Sequence, residues 1–586
     1  MKRVKVVNNN KKNILAIILA TIVVFFVENK FGTNGNTIIF VVMFFALFVF
    51  LKGTIDIEYK RKFFISITIA VIFSIIEIIC TSINIDYTLN HIFDSNYILH
   101  FFGYIIILWS TISFIYSKIS NNNKNYIINS KRYQIYKVIF DSKWSFIINT
   151  ILIFLAWIPY FLRYFPGLLT ADSCSQVLQS MGMAELTNHH PIVHTGIIGL
   201  FINIGNSIIG NINVGVCLYT LFQMITMTMM FSVVLKYLSK KNIPYNVRII
   251  CLLYYMFYPV NALFSVIMWK DILFSGIIPI YIICNIELLY NKDDFFYNTK
   301  KIIHYIVVSL LVMFLRNNGL YVVILTLPFI LLLLRKYLKR AILIIITIIV
   351  SYLIIKSAIF SIFNVKKGSV GEMLSIPLQQ IARVKKYHKE ELNAETLTQI
   401  DSFFLCNNIE EKYNPVLSDP VKAELNNEFF SENKVEFLKL WLKLLKTYIK
   451  DYIESFISNS YGYYYPEAKH WVANRTIEDN DLGIIQTPLI SGKKITKIDS
   501  YIEKREIPLI SMMFSIGMAF WIIVIAFGYE LLTKNYKMII PYIIILILWL
   551  TIVASPVFCE YRYAYPMFTA LPIFIGMNFI KNKNQG

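Results

Sequence analysis

Charged residues are scarce in this chain, and acidic residues are scarcer than basic ones. Only 16% of the 586 residues are charged, with 36 Asp and Glu against 56 Lys and Arg, whereas 56% are hydrophobic. An ordinary soluble domain is about 45–50% apolar. This composition excludes a soluble globular enzyme and a disordered scaffold, and it predicts a membrane protein with many spans.

Several motifs that would point to a known chemistry are missing. The sequence has no GxxxxGK[ST] loop and no GxGxxG in a strand–helix setting, so no nucleotide-phosphate loop is predicted. Its seven cysteines share no CxxC spacing, and no metal or redox motif follows from them. No internal repeat is evident, which argues against a transporter built from inverted repeats.

The fold class predicted from the apolar runs is an all-α polytopic membrane protein, because a helix needs roughly 20 apolar residues to cross a bilayer. The first run is not expected to be a cleaved signal peptide, since another span follows at once. Fourteen spans are predicted: 13–30, 37–52, 63–82, 97–117, 144–164, 213–235, 247–266, 272–290, 302–315, 319–334, 341–361, 509–531, 539–556 and 566–580.

The positions of Lys and Arg predict the orientation, because cytoplasmic loops carry the excess of basic residues. With the N-terminus inside, thirty basic residues fall in inner loops and only five in the short outer ones. Both termini are therefore predicted to be cytoplasmic. The apolar stretch 190–210 is predicted to be a helix that lies along the outer surface, since a crossing there would invert every later loop.

Four regions are predicted. Residues 1–143 hold four spans and a basic cytoplasmic loop, and 144–361 form a membrane core with a first outer loop at 165–212. Residues 362–508 form an extracellular soluble region, and 509–586 hold the last three spans. The region 362–508 has 20 basic and 21 acidic residues, so the net charge of +20 arises mainly on the inner surface. It indicates attraction to anionic membrane lipid and not to nucleic acid.

The outer region 362–508 contains helical periodicity and an aromatic patch. Apolar residues recur at three- and four-residue steps at Val435, Leu438, Leu442, Leu445 and Ile449. The patch comprises Tyr448, Tyr452, Tyr461, Tyr463, Tyr464, Tyr465 and Trp471. These rings could stack on a sugar, or they could pack in a core or in an aromatic belt.

Ionisable residues at the membrane face are costly and are therefore candidates for function. Four outer loops present them: the loop from Phe165 to Pro191, Trp269-Lys270-Asp271, Arg316-Asn317-Asn318-Gly319, and Glu560-Tyr561-Arg562-Tyr563. Predicted catalytic residues are Asp172, His189 and His190. Predicted phosphate or donor ligands are Lys270, Arg316 and Arg562, and predicted substrate contacts are Gln176, Asp271, Asn317, Asn318, Glu560 and Tyr563.

Each role has a structural alternative. Asp172 could cap a helix that starts near Ser173, or it could act as a general base. The two histidines could carry a proton or a ligand, or make structural hydrogen bonds. Lys270, Arg316 and Arg562 could snorkel, or they could hold a phosphate. No metal site is predicted, since the spacing of His190 and His194 alone is a weak signal.

The order of these parts resembles the GT-C superfamily of membrane glycosyltransferases, among them protein mannosyltransferases and lipid A aminoarabinose transferases. The shared features are Asp172 in a large outer loop, His190-Pro191, the surface helix, and a span ending in Lys236. More closely, FPG…D-S…Q…NHHP, WKD and RNNG are similar to an uncharacterised family of Gram-positive multi-span proteins. Many relatives carry paired acids in the first loop. Here Ser173 follows Asp172, which argues against a metal-dependent version.

The resemblance implies transfer of a sugar from a polyprenyl-phosphate carrier to an envelope glycan, lipid or protein outside the membrane. Asp172 would deprotonate the acceptor, and Lys or Arg would stabilise the leaving lipid phosphate. No other cofactor is predicted, and a divalent metal is not supported. Alternatives are a polysaccharide polymerase or ligase, a lipid-linked sugar transporter or flippase, and a receptor or envelope scaffold.

Overall fold

The computed structural model describes residues 9–32, 37–56, 60–121, 131–366, 368, 370–468, 472–504, 511–554 and 556–580. Within these ranges the chain is helical, with only isolated β-bridges. The helices are α1 Asn9–Phe31, α2 Thr37–Asp56, α3 Lys60–Asp86, α4 Ser95–Asn121, α5 Lys131–Asp141, α6 Ser145–Arg163, α7 Ala171–Ser180, α8 Ile192–Asn203, α9 Ile212–Lys240, α10 Tyr245–Phe257, α11 Pro259–Ser265, α12 Lys270–Tyr290, α13 Lys292–Tyr297, α14 Thr299–Leu315, α15 Asn317–Leu333, α16 Leu338–Ile362, α17 Ser375–His388, α18 Ala394–Ser402, α19 Ile409–Lys412, α20 Asp419–Ala423, α21 Asn427–Glu432, α22 Lys434–Thr447, α23 Ile449–Ser460, α24 Lys493–Lys504, α25 Ile516–Leu532, α26 Ile539–Ala554 and α27 Tyr561–Met577.

Nine helical segments in the described ranges are long and apolar enough to cross a membrane, which confirms a multi-pass helical membrane protein. They contain α1, α2, α3, α4, α6, α9, α12, α16 and α26. A tenth candidate is the pair α10 and α11, bent by 47°. The bend has a local cause: Tyr258 precedes Pro259 and is extended, because a residue before proline avoids the helical conformation.

The centre of the bundle is α12. Nearly all of its residues are buried, in one core formed with side chains of α6, α9, α14 and α27. The peripheral helices α2 and α16 instead expose many apolar side chains, as lipid-facing helices do. Protein therefore encloses α12 almost completely.

The stretch 190–210 is helical, with α8 continuing as a π-helical turn from Ile204 to Ile208. It packs against α9 at a point where two glycines meet. A Cβ atom added to Gly205 would lie 2.1 Å from the backbone nitrogen of Gly215. Glycine is required here because the two backbones approach more closely than any side chain allows.

The segment 362–508, which is predicted to lie outside and which we call the outer region, contains a core of its own, built from side chains of α17, α18, α22 and α23 among others. The predicted periodic segment does form helix α22, but most of its periodic residues do not face this core. Val435, Leu438 and Leu442 are exposed, and the helix buries Phe437, Leu440 and Leu444 instead. The sequence therefore predicted the helix correctly but not which of its apolar faces would be covered.

The aromatic patch is mostly internal. Tyr452, Tyr461, Tyr463 and Tyr465 are all buried, so core packing and not sugar stacking describes these four rings. Trp471 lies outside the described residues. After the patch the chain runs along the first outer loop, where the backbone nitrogen of Glu478 donates to the Leu169 carbonyl over 3.0 Å.

Candidate functional site

A cluster of charged side chains lies where α6 ends and α12 begins, at one end of the helix bundle. Arg562 donates from Nη1 to the Asp172 carboxylate over 2.8 Å. The Nζ atom of Lys270 lies 3.6 Å from the same carboxylate oxygen. Two cations from α27 and α12 thus share one anion from the first loop, although the three residues are far apart in sequence.

Backbone pairing between two loops sets this geometry. The nitrogen of Leu168 donates to the Val266 carbonyl over 2.8 Å, and the nitrogen of Met268 donates to the Leu168 carbonyl over 2.9 Å. The Ser173 hydroxyl then donates to the Met268 carbonyl over 2.5 Å. These three bonds hold the start of α7, with Asp172, beside the start of α12, with Lys270.

The electrostatic setting of Asp172 favours its charged form. Burial alone would raise the pKa of this carboxyl, but the charges of Lys270 and Arg562 outweigh burial and hold the pKa below its usual range. Asp172 is therefore a carboxylate in the resting site. Its side chain is 31% exposed, against 10% for Glu560 and 0% for Asp271, so it is the carboxylate of the cluster most open to a reacting partner.

His190 joins the cluster through Lys270. The Nζ atom of Lys270 lies 2.9 Å from Nδ1 of His190, which is buried. Burial, and then the charge of Lys270, lower the pKa of His190 to about 3. A neutral ring can accept a hydrogen bond from the ammonium at Nδ1. His189 is exposed and reaches the cluster through ring contact with His190, with centroids 4.6 Å apart.

A second ion pair lies deeper, between Arg316 and Asp271. The Nε atom of Arg316 is 3.1 Å from the Asp271 carboxylate, which is fully buried. Neither carboxylate oxygen accepts a hydrogen bond from the residues that the structure describes. The ring of Tyr563 stacks against the Arg316 guanidinium at 4.5 Å. Arg316 therefore compensates a buried charge and makes no direct pair with Asp172.

Glu560 is the third carboxylate, and its Oε1 atom lies 2.9 Å from Nε of Arg562. Burial raises its pKa to about 7, against the opposing charge of Arg562. The backbone nitrogen of Glu560 donates to the hydroxyl of Tyr463 over 3.3 Å. The tyrosine-rich segment of the outer region thus supports the loop that carries Glu560 and Arg562.

The structure adds one residue that sequence reasoning left without a role. The Trp269 ring lies under the Arg562 guanidinium at 4.9 Å, and its Nε1 donates to Thr170 Oγ1 over 2.8 Å. A cation held on an aromatic face loses less freedom when it binds an anion. The available signal was the position of Trp269, directly before Lys270.

Three predicted substrate contacts are hydrogen-bonded to residues outside the charged cluster. Gln176 is buried and donates to Thr195 Oγ1 over 2.9 Å. Asn317 donates to the Asn188 carbonyl over 3.1 Å, and the amide of Asn318 points to Thr551 at 3.5 Å. These side chains tie α7 to α8, α15 to the first loop, and α15 to α26.

Two cations of the cluster converge on one carboxylate. In the described part of the chain, no group of three or more His, Cys, Asp and Glu side chains could hold a metal ion. Lys270 and Arg562 instead converge on a single carboxylate, and a phosphate offers the same kind of oxygen acceptors.

The family model that matches this sequence is described as a family of unknown function (DUF6020), and it covers residues 178–586, which is more than half of the chain. The matched range includes His190, Lys270, Arg316 and Arg562 but begins after Asp172. No curated protein and no solved structure matches the chain.

Proposed function

This chain belongs to the family of unknown function DUF6020, and from its charged cluster we propose that it is a membrane glycosyltransferase. It would move a sugar from a polyprenyl-phosphate carrier to an envelope glycan, lipid or protein at the outer face of the membrane. The observation that carries the proposal is the convergence of Lys270 and Arg562 on the partly exposed Asp172. In the proposed topology the cluster lies at the outer membrane face, where the phosphates of carrier lipids are found.

The proposed topology has fourteen spans with both termini inside. The contact between Asp172 and Lys270 supports it, because two residues that touch must be separated by an even number of crossings. Between them lie α9 and the bent pair α10–α11, if α8 does not cross. Two more crossings, α12 and α14, lie between Lys270 and Arg316, which pairs with Asp271 on the same face.

The four proposed spans α14, α15, α25 and α27 are only 17 residues long. At 1.5 Å per residue each covers roughly 25 Å, a little less than a typical hydrocarbon core. Local thinning of the bilayer or flanking polar residues can make up such a difference. The basic residues of the proposed inner loops support this orientation, with 362–508 outside.

The proposed donor site is built on Lys270 and Arg562. The carrier phosphate would take the place that Asp172 now occupies against these two cations, while Trp269 holds the Arg562 guanidinium in position. Arg316 would support the site from below through Asp271 and the ring of Tyr563. Positive charge arranged in advance lowers the barrier for a step in which negative charge develops on the leaving phosphate.

The proposed reaction is a single inverting displacement. The acceptor oxygen forms a bond to the anomeric carbon as the bond from that carbon to the phosphate oxygen breaks. The phosphate oxygen keeps the electron pair, and Asp172 takes the acceptor proton. In the resting site the pKa of Asp172 is held too low for an effective base. A bound phosphate would offset the charge of Lys270 and Arg562 and so raise that pKa.

The proposed fold relationship is to the GT-C superfamily. What supports it is the order of Asp172 in a large loop, the His190-Pro191 start of α8, and the close packing of α8 on α9. The substrate class follows from this resemblance together with the anion site. Polymerases and ligases use a sugar donor linked to lipid pyrophosphate, whereas the proposed transferase uses one linked to lipid phosphate. The identity of the donor therefore distinguishes the two activities.

The deciding experiment is native mass spectrometry of the purified full chain in nanodiscs, with polyprenyl-phosphate monosaccharides added. We expect a retained carrier in the wild type and its loss in a variant with both Lys270→Ala and Arg562→Ala. The control is Lys366→Ala, which removes an exposed lysine that pairs with Glu185. The mass of the bound adduct identifies the sugar.

Retention of the carrier by the double variant would overturn the anion site. Selective retention of a pyrophosphate-linked oligosaccharide would replace the transferase with a polymerase or ligase. Binding without any sugar transfer, combined with carrier movement across liposomes, would identify a flippase.

A further inference from the structure

Helix α22 has two apolar faces, and only one of them is covered. Phe437, Leu440 and Leu444 are buried in the core of the outer region. They recur at steps of three and four residues and so form one continuous stripe along the helix. This face accounts for the attachment of α22 to the outer region.

The second face is an exposed stripe made of Val435, Leu438 and Leu442, which we call the outer stripe. Their side chains are 61%, 53% and 41% exposed. The same spacing of three and four residues aligns them on the side away from the buried stripe. Single exposed apolar residues are ordinary on protein surfaces, but an aligned set marks an interaction site.

Lysines border the outer stripe along its length. Lys439 and Lys446 are exposed and fall next to the stripe at 3.6 residues per turn. Lys443 lies on the same side, but its Nζ atom donates to Thr396 Oγ1 over 2.9 Å. The helix carries a single acidic residue, Glu436, whose carboxylate lies 3.6 Å from Nζ of Lys439. An apolar stripe with a basic border is typical of helices that lie on anionic lipid.

The next helix fixes the level of the stripe relative to the bilayer. In α23 the Nζ atom of Lys450 donates to Asn90 over 2.7 Å, and Glu454 accepts from the backbone nitrogen of Leu89 over 2.8 Å. Both partners belong to the loop directly after the membrane-spanning α3. Ile449, next to Lys450, is 60% exposed. The end of α22 therefore lies near the height at which α3 leaves the membrane.

We propose that α22 rests on the surface of the membrane that the chain itself spans, with the outer stripe in the interfacial layer and the bordering lysines against anionic headgroups. The occupant is lipid and not a second protein, because the basic border complements anionic lipid and the contacts of α23 keep the helix close to a span. This proposal is independent of the proposed transferase activity.

The test uses the full chain, with its native cysteines replaced, in nanodiscs that contain phosphatidylglycerol. A nitroxide label is placed at Leu438→Cys and, as a matched control on the same helix, at Glu436→Cys. The measurement compares relaxation of each label by oxygen, which partitions into lipid, with relaxation by a water-soluble nickel complex. We expect an oxygen-to-nickel ratio several-fold higher at position 438 than at position 436.

A second lipid composition tests the role of the lysines. In nanodiscs of phosphatidylcholine alone, we expect the ratio at position 438 to fall towards that at 436. Equal ratios at the two positions in both lipids would overturn the proposal. A label at 438 shielded from both reagents would also overturn it, since the stripe would then be covered by protein. Leu442→Cys replaces Leu438→Cys if the latter does not give a monodisperse protein.

Discussion

Arg562 and Asp172 are joined by a hydrogen bond of 2.8 Å although 390 positions separate them in the chain. The bond links α27 to the start of α7. Two residues this far apart in sequence meet only because the tertiary fold brings their segments together. The pair is therefore the most direct sign that the charged loops form one site.

Replacing Asp172 by Asn should abolish sugar transfer, because the amide cannot take the acceptor proton. Expression and monodispersity should be unchanged. The measurement is transfer of labelled sugar from a polyprenyl-phosphate donor by purified protein. Glu185→Gln is the control, since that carboxylate is 69% exposed in the same loop and pairs with Lys366. Full activity of Asp172→Asn would remove its role as a base.

Replacing Arg316 by Ala should destabilise the protein by about 3–5 kcal/mol, because it leaves the fully buried Asp271 without its cation. The measurement is the free energy of unfolding in detergent. The double variant with Asp271→Asn should recover much of the loss, since the orphaned charge is gone. A single variant as stable as the wild type would show that Arg316 is free for a ligand instead.

Glu560 should make stability depend on pH. Because burial raises its folded pKa from 4.5 to about 7, the folded state binds this proton more tightly than the unfolded state. The resulting stabilisation is fully present below pH 4.5 and is lost as pH rises through about 7. Its size is a few kcal/mol. The measurement compares thermal midpoints of wild type and Glu560→Gln across this range, and the variant should show the weaker fall. If the thermal midpoints of the two proteins changed in parallel with pH, the raised pKa of Glu560 would be contradicted.

Two glycines of the helical stretch 192–208 should respond differently to the same substitution. Gly205→Ala should lower the thermal midpoint and loosen α8 from α9, because the new methyl group would meet the backbone of Gly215. Gly196→Ala has open space around it and should be neutral or stabilise by about 0.5–1 kcal/mol. Equal effects would show that α8 does not pack on α9 in this way.

The proposed orientation predicts which surface lysines can be labelled from outside the cell. In a cysteine-free background, Lys389→Cys should react with a membrane-impermeant maleimide on intact cells, and Lys336→Cys only after permeabilisation. Both side chains are exposed, at 56% and 81%, so a difference reports sidedness and not burial. The reverse pattern would invert the topology.

The helical membrane architecture could be predicted from the sequence because each apolar run determines its own secondary structure in lipid. A run such as 272–290 must be a helix in lipid, whatever its neighbours, since its backbone has no other source of hydrogen bonds. The stretch 190–210 was also predicted as a helix, and it is one. The bend at Pro259 was missed, because span 247–266 was treated as continuous.

The candidate site could be predicted only in part. The cost of placing charge at a membrane face identified Asp172, His190, Lys270 and Arg562 as candidates for function. Gln176 was grouped with them, yet it lies buried between α7 and α8. Arg316 was grouped with Lys270 and Arg562 as a phosphate ligand, yet its partner is the buried Asp271. The spacing of these residues in the sequence does not show which of them contact Asp172 and which pair with other side chains.

By itself the sequence determined that the chain is helical, enters a membrane many times, and carries its unusual charges in four segments between apolar runs. These properties follow from hydropathy and from the need of the backbone to form its hydrogen bonds within each segment in lipid. Only the tertiary structure decided which charges meet, that Asp172 faces two cations, and that α22 turns one apolar stripe inward and leaves the other exposed. These contacts and orientations depend on how distant segments pack together, and the local sequence of one segment does not determine that packing.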